Sequence, residues 1–218
     1  VIAACVAIHL LRVYVLTLDQ NINVIVAGAF VPIRYTGGYE LDVFALTSLV
    51  TYSFLHGDWT HIAVNMIWLA AFGSPLATRL GVWRFAAFWI VASIAAAGLH
   101  FLLHPYDEAP LVGASGAISG MMGAAARFAF RVDRSGSLPS FAGGPLPIGH
   151  ALRQRGVLIF LGVWMATNLV TGLFSLTPNL DSRIAWEAHI GGFLVGFFGI
   201  ALFDRPASSP AGTNEPEA

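Results

Sequence analysis

Residues 111–130 read LVGASGAISGMMGAAARFAF, an apolar run built from small residues and carrying one charge, Arg127. Gly116 and Gly120 are four apart and share a helix face. With Ala114, Ala117, Gly123 and Ala124 they leave the segment small on several sides, so neighbouring backbones can come close. Such a segment reads as the central helix of a bundle. Gly192 and Gly196 repeat the spacing near the C-terminus, and close contact between these two helices is the plain packing reading.

The rest of the chain agrees with a membrane setting. Of 218 residues, 56% are hydrophobic and 11% charged, and the mean hydropathy is +0.72. Soluble domains carry about 45–50% apolar and about 25% charged residues, so this chain cannot cover itself with polar surface. The fold class expected is all-α, a polytopic membrane protein in one compact domain over 1–204, with 205–218 a disordered Pro/Ser/Ala/Glu tail. All 11 basic residues are Arg, against 12 acidic ones. No cluster of cations forms a nucleic-acid footprint. The single cysteine, Cys5, excludes an intrachain disulfide framework and a multi-cysteine metal site. The chain opens inside an apolar run, from which a preceding segment is expected.

Breaks and apolar runs predict six spans, at about 1–18, 53–69, 83–103, 113–130, 157–174 and 188–203. The second ends before Gly73-Ser74-Pro75, and a long connection occupies 19–47. Several runs are shorter than the roughly 20 residues needed to cross a bilayer. A short helix suffices where its end lines a wet cavity. Arginines set the orientation. Arg79, Arg84, Arg127, Arg131, Arg134, Arg153, Arg155 and Arg205 lie on one side, and Arg34 and Arg183 on the other. Both termini are then cytoplasmic, and the loops at 19–47, 104–112 and 175–187 lie outside. The short loops fit a bacterial inner (plasma) membrane.

Polar groups inside spans are functional suspects. Ser115 opens span four and His189 opens span six, at similar depth on the outer side. His56, His61 and Asn65 stand in the outer half of span two, with His61 and Asn65 on one face. Together they supply the parts of acyl transfer: Ser115 as nucleophile, His189 as its base, and His61, Asn65 and the Ser115 N–H as oxyanion donors. Gly113 and Gly116 keep the hydroxyl uncovered. No acidic third member is evident, since Asp58 leads into span two and Glu187 adjoins His189. A Ser115–His189 dyad is therefore expected. Each residue also has a plainer reading: Ser115 bonded to its preceding turn, His61 and Asn65 tying helices together. His9, His100, His104 and His150 read as boundary or loop residues. No metal-ligand motif such as His-Glu-x-x-His occurs, and no cofactor is expected.

These residues resemble the rhomboid family of intramembrane serine proteases. The resemblance rests on His56-x4-His61-x3-Asn65, Gly113-Ala114-Ser115-Gly116 and Ala188-His189-x2-Gly192-x3-Gly196, in order over about 1–204. It implies a compact six-transmembrane-helix bundle that cleaves transmembrane protein substrates in or beside their membrane segment. Its other partner is the lipid bilayer. The resemblance also implies Ser115 as nucleophile, His189 as its partner, His61 and Asn65 at the oxyanion site, and His56 as a structural histidine. A gate is implied in span five and the outer cap, with Trp164, Phe174 and the 175–187 loop as local candidates. Two departures stand out. Ser119 occupies a place where many members carry an aromatic ring against the catalytic His, so Met122 or a side chain of span six is expected to hold His189. The Trp-Arg pair of the first loop is missing. A non-catalytic rhomboid-like chaperone or quality-control protein is the alternative, and a small-solute transporter a third.

Overall fold

The computed structural model describes residues 1–175 and 185–204, with side chains given up to 172 and again from 185. The predicted tail, Phe174 and most of the outer 175–187 loop lie outside the described side chains. The described chain is mostly helical. In order come α1 (Ile2–Tyr14), α2 (Leu18–Gly28), a 3-10 turn (Pro32–Tyr35), α3 (Val43–Thr51), α4 (Trp59–Trp68), α5 (Ser74–Leu80), α6 (Val82–Leu103) and α7 (Ser115–Arg127). A two-stranded hairpin of β1 (Val132–Asp133) and β2 (Ser140–Phe141) follows, then α8 (Ile148–Ala151), α9 (Arg155–Ser175) and α10 (Trp186–Phe203).

Among the described residues four helices are long and apolar enough to cross a membrane: Trp59–Leu80, Val82–Leu103, Arg155–Gly172 and Trp186–Phe203. Ile2–Tyr14 and Val43–Phe54 are apolar but shorter. At 1.5 Å per residue the 13-residue α7 is only about 20 Å long. It is sheathed by protein, with every residue from Gly116 to Arg127 buried.

Three sequence-based boundaries need correction. The second span continues through Gly73-Ser74-Pro75 to Leu80, because a π-turn (Leu69–Gly73) joins α4 to α5. Pro75, which has no N–H to donate into the continuing helix, comes just after this wider turn. The connection at 19–47 is largely structured. Thr17 and Gln20 form a capping box on α2, and the Asp42 carboxylate caps α3. The fourth span stops at Arg127, since Ala129 and Phe130 turn to positive φ (51° and 56°) and end the helix.

Helix α7 packs on α6 and α10 through its glycines. A Cβ on Gly116 would stand 2.6 Å from the Ala96 Cβ of α6, and one on Gly123 would stand 2.5 Å from the Phe193 carbonyl of α10. From the other side, a Cβ on Gly192 would fall on the Gly116 carbonyl. The α7–α10 contacts are to backbone on both sides, as the paired glycine spacings predict. Away from the site, charge fixes the end of α10. The Arg79 guanidinium donates to both Asp204 carboxylate oxygens (2.7 and 2.8 Å), and Arg127 Nη1 donates to the Phe197 carbonyl at 2.6 Å.

Candidate active site

The segment leading into α7 is held on three sides. Phe30 and Leu111 exchange two backbone hydrogen bonds (3.2 and 2.8 Å), and the Gly113 N–H donates to the Tyr52 carbonyl at 3.0 Å. The Ala114 N–H donates to His56 Nε2 at 3.5 Å. His56 is itself fully buried, and Arg12 Nη1 donates to its carbonyl at 2.9 Å. The His56 ring thus meets the backbone of the residue before Ser115. Arg12, on α1, ties the first helix to the same point.

Ser115 is the first residue of α7 and His189 lies in the first turn of α10. The Gly–Gly contacts bring these two helix starts together. Ser115 Oγ and His189 Nε2 are 2.9 Å apart, although 74 positions separate them in sequence. Both side chains are part-exposed.

His61 and Asn65 stand one turn apart on α4, whose start is capped by the Asp58 carboxylate accepting the His61 N–H at 2.8 Å. Asn65 is buried, and its Nδ2 donates one hydrogen to the His61 carbonyl at 2.9 Å. The second amide hydrogen remains for another acceptor. Gly113 has φ +123° and faces the His61 ring. A Cβ there would be 2.7 Å from His61 Nε2 and 3.7 Å from Ser115 Oγ. The missing side chain therefore leaves a gap bordered by the hydroxyl and an imidazole nitrogen. The N–H groups of Ser115, Gly116 and Ala117 open α7 and have no acceptor within the helix. Helix polarity makes that end favourable for negative charge.

One residue at the site was not anticipated. Asn168, on α9 and 5% exposed, lies with its Oδ1 2.7 Å from His189 Nδ1. Its Nδ2 donates to the Trp164 carbonyl at 2.8 Å. The expectation that Met122 or a side chain of span six holds His189 is corrected accordingly: Met122 belongs to the apolar core, and the polar partner comes from span five. Ser119, one turn after Ser115, is buried in α7 and offers no ring to pack on the imidazole. The signal for Asn168 was present in sequence, as an amide inside an apolar span.

Two other histidines are buried. His9 is buried edge-on against Trp59, with ring centroids 4.6 Å apart. His100 is buried with its Nδ1 2.8 Å from Glu187 Oε1, where His104 Nε2 also approaches to 3.2 Å. His9 lies inside α1 and not at a boundary, whereas His100, in the last turn of α6, keeps its boundary reading; Glu187 turns to His100 and to His104 just past the end of α6.

A hydroxyl bonded to an imidazole at the mouth of a helix N-terminus, with a second imidazole and an amide alongside, has the parts for attack on a carbonyl carbon. A model of the Rhomboid domain matches residues 44–205. The chain belongs to the rhomboid family. It is 29% identical over 159 residues to RHOMBOID-like protein 5 of Arabidopsis thaliana, covering 72% of this chain and 44% of that protein. It is also 29% identical over 164 residues to Rhomboid protease GluP of Bacillus subtilis (strain 168), covering 75% of this chain and 27% of that protein. RHOMBOID-like protein 6, mitochondrial, of A. thaliana matches at 29% over 161 residues, covering 73% and 45%. The chain thus spans less than half the length of these relatives. It is an integral membrane protein of that family.

Proposed function

We propose that the protein is an intramembrane serine endopeptidase that hydrolyses a peptide bond in or next to a transmembrane segment of a membrane protein. The observation that carries this reading is the 2.9 Å contact of Ser115 Oγ with His189 Nε2. It joins the two residues expected to be nucleophile and base, within a family that includes a named protease.

In this reading the Ser115 oxygen bonds to the scissile carbonyl carbon while its proton passes to His189 Nε2. The carbonyl oxygen becomes anionic in the gap beside Gly113, where His61 Nε2, the free Asn65 N–H and the Ser115 N–H are its donors. Collapse breaks the C–N bond, and His189 returns the proton to the departing amine. Water then attacks the acyl-enzyme with His189 again as base, releasing the acid and restoring the hydroxyl. The polar groups lining the helix starts allow water at a depth where lipid would exclude it.

For the membrane arrangement we adopt six crossings, by α1, the α4–α5 unit, α6, α7, α9 and α10. Arg79, Arg84 and Arg127 mark the cytoplasmic side, the termini lie there too, and the site opens outward. A bacterial plasma membrane fits this arrangement. Substrate enters sideways from the lipid and unwinds locally, which favours small residues at the cut and helix breakers beyond it.

The test is cleavage of a reconstituted transmembrane substrate by the wild type and by Ser115→Ala, together with labelling by a serine-directed fluorophosphonate. Loss of cleavage and of label in a folded Ser115→Ala protein is expected. Full activity in that variant would overturn the assignment.

A further inference from the structure

Helices α9 and α10 meet along a narrow seam. Trp164, Asn168 and Gly172 follow at four-residue spacing on one face of α9. Opposite them on α10 stand Phe193, His189 and Trp186. The Trp164 and Phe193 rings stack with centroids 4.3 Å apart, and a Cβ on Gly172 would be 2.5 Å from the Trp186 ring. Between these two apolar contacts lies the Asn168–His189 hydrogen bond of 2.7 Å. The residues flanking Asn168 on α9, from Met165 to Thr167 and then Leu169 and Val170, are exposed on the protein surface. The buried amide is therefore aimed, by its helix face, at the imidazole.

Donor and acceptor bookkeeping then fixes both partners of the contact. The Asn168 Nδ2 is spent on the Trp164 carbonyl, which leaves Oδ1, an acceptor only, toward His189. His189 Nδ1 must carry the hydrogen. In the neutral ring Nε2 is then a lone pair, and it faces Ser115 Oγ. The opposite tautomer would place a hydrogen between the ring and the hydroxyl and leave no base.

We infer that Asn168 is the positioning residue for His189, holding the imidazole in its Nδ1–H form and aiming Nε2 at Ser115. It takes the part for which Ser119 offers no aromatic ring. The inference rests on the protease reading for its kinetic consequence, but its structural half does not. Because the acceptor sits on α9 and the base on α10, the site is complete only while these two helices are docked along this seam.

Among the described residues, the titratable groups near His189 are His61 on α4 and Glu187 on its own helix, the latter engaged by His100 of α6 and by His104 just past its end. These stay constant in the variants that follow. The first measurement needs no substrate: nitrogen-15 NMR of histidine-labelled protein in detergent, with the His189 signal assigned by its loss in His189→Ala. The wild type is expected as the Nδ1–H tautomer and Asn168→Ala as a mixture. A wild-type Nε2–H tautomer would overturn the inference.

The second is kinetic. Asn168→Ala is expected to lower kcat about 10–100-fold with KM nearly unchanged, as for loss of orientation of a general base. Asn168→Asp keeps an acceptor facing Nδ1. It is expected to recover most of the rate and to move the acid limb of the pH profile upward, because a carboxylate favours the imidazolium. It also serves where Asn168→Ala fails to fold. Asn168→Ala with wild-type kcat and pH profile, in a protein that Ser115→Ala inactivates, would overturn the inference alone. Cleavage that survives Ser115→Ala would instead overturn the protease reading.

Discussion

Gly196 of α10 lies so close to Gly120 of α7 that a Cβ at position 196 would fall on the Gly120 carbonyl oxygen. The contact has a functional reach, because the same two helices carry Ser115 and His189 at their starts. Pushing them apart at Gly196 moves the hydroxyl away from the imidazole two turns above.

Gly196→Ala is therefore expected to lower stability by about 1–3 kcal/mol, the usual cost of overpacking. The cleavage rate should fall by about 100-fold, since a 1 Å misplacement costs that scale. Gly199→Ala is the control. A Cβ there meets nothing within 4 Å, so removing helical glycine should be neutral or should stabilise by about 0.5–1 kcal/mol. Thermal unfolding in detergent and the single-turnover rate read both. Equal behaviour of the two variants would contradict the close contact.

Asn65 tests the oxyanion assignment. One of its amide hydrogens is held by the His61 carbonyl, which aims the other. Asn65→Ala is expected to reduce kcat by roughly 10–1000-fold with a small change in KM, the range for one lost donor. An unchanged kcat with a lowered unfolding temperature would make Asn65 a purely structural amide.

Much of this site was legible in the sequence for a physical reason. A hydroxyl, imidazoles and an amide inside apolar helices are costly enough to stand out, and the small-residue faces say which helices touch. Ser115, His189, His61 and Asn65 stand out this way, and the first two lie within hydrogen-bond reach of each other. Asn168 was not singled out, because among Thr167 and Thr171 it reads as one more polar residue in a span. Its significance depends on which face of α9 meets α10, and Trp164 and Gly172 mark that face only once the partner is known. The run Gly73-Ser74-Pro75 misled in the other direction. Glycine and proline signal a stop, yet a π-turn carries the helix through to Leu80. Local composition does not reveal the π-turn.

The ion pair of Arg79 with Asp204 separates stability from chemistry. Asp204 is 6% exposed at its side chain and Arg79 is 20% exposed. Removing one member of a buried pair costs about 3–5 kcal/mol, because the other is left charged and unpaired; the exposure of Arg79 favours the lower end. Asp204→Asn and Arg79→Gln should each lower the unfolding temperature, and the double variant should lose less than the sum. The pair lies about 20 Å along α10 from His189 by helical rise, so the rate per folded molecule should not change. Strictly additive losses would show that the two side chains are not coupled.

Gly113 joins the backbone argument to the chemical one. Its φ of +123° is a conformation that a side chain resists, and such strain costs about 1–3 kcal/mol. The direction of the missing side chain matters more. An alanine methyl would meet the His61 ring at 2.7 Å and close the gap beside Ser115. Gly113→Ala should then lose cleavage almost entirely while its unfolding temperature falls only modestly. Fluorophosphonate labelling should fall in parallel, because the phosphonyl oxygen needs the same gap. If Gly113→Ala instead kept both cleavage and labelling, the space between His61 and Ser115 would not be where the oxyanion forms, and the donors would have to be sought on the opposite face of the hydroxyl.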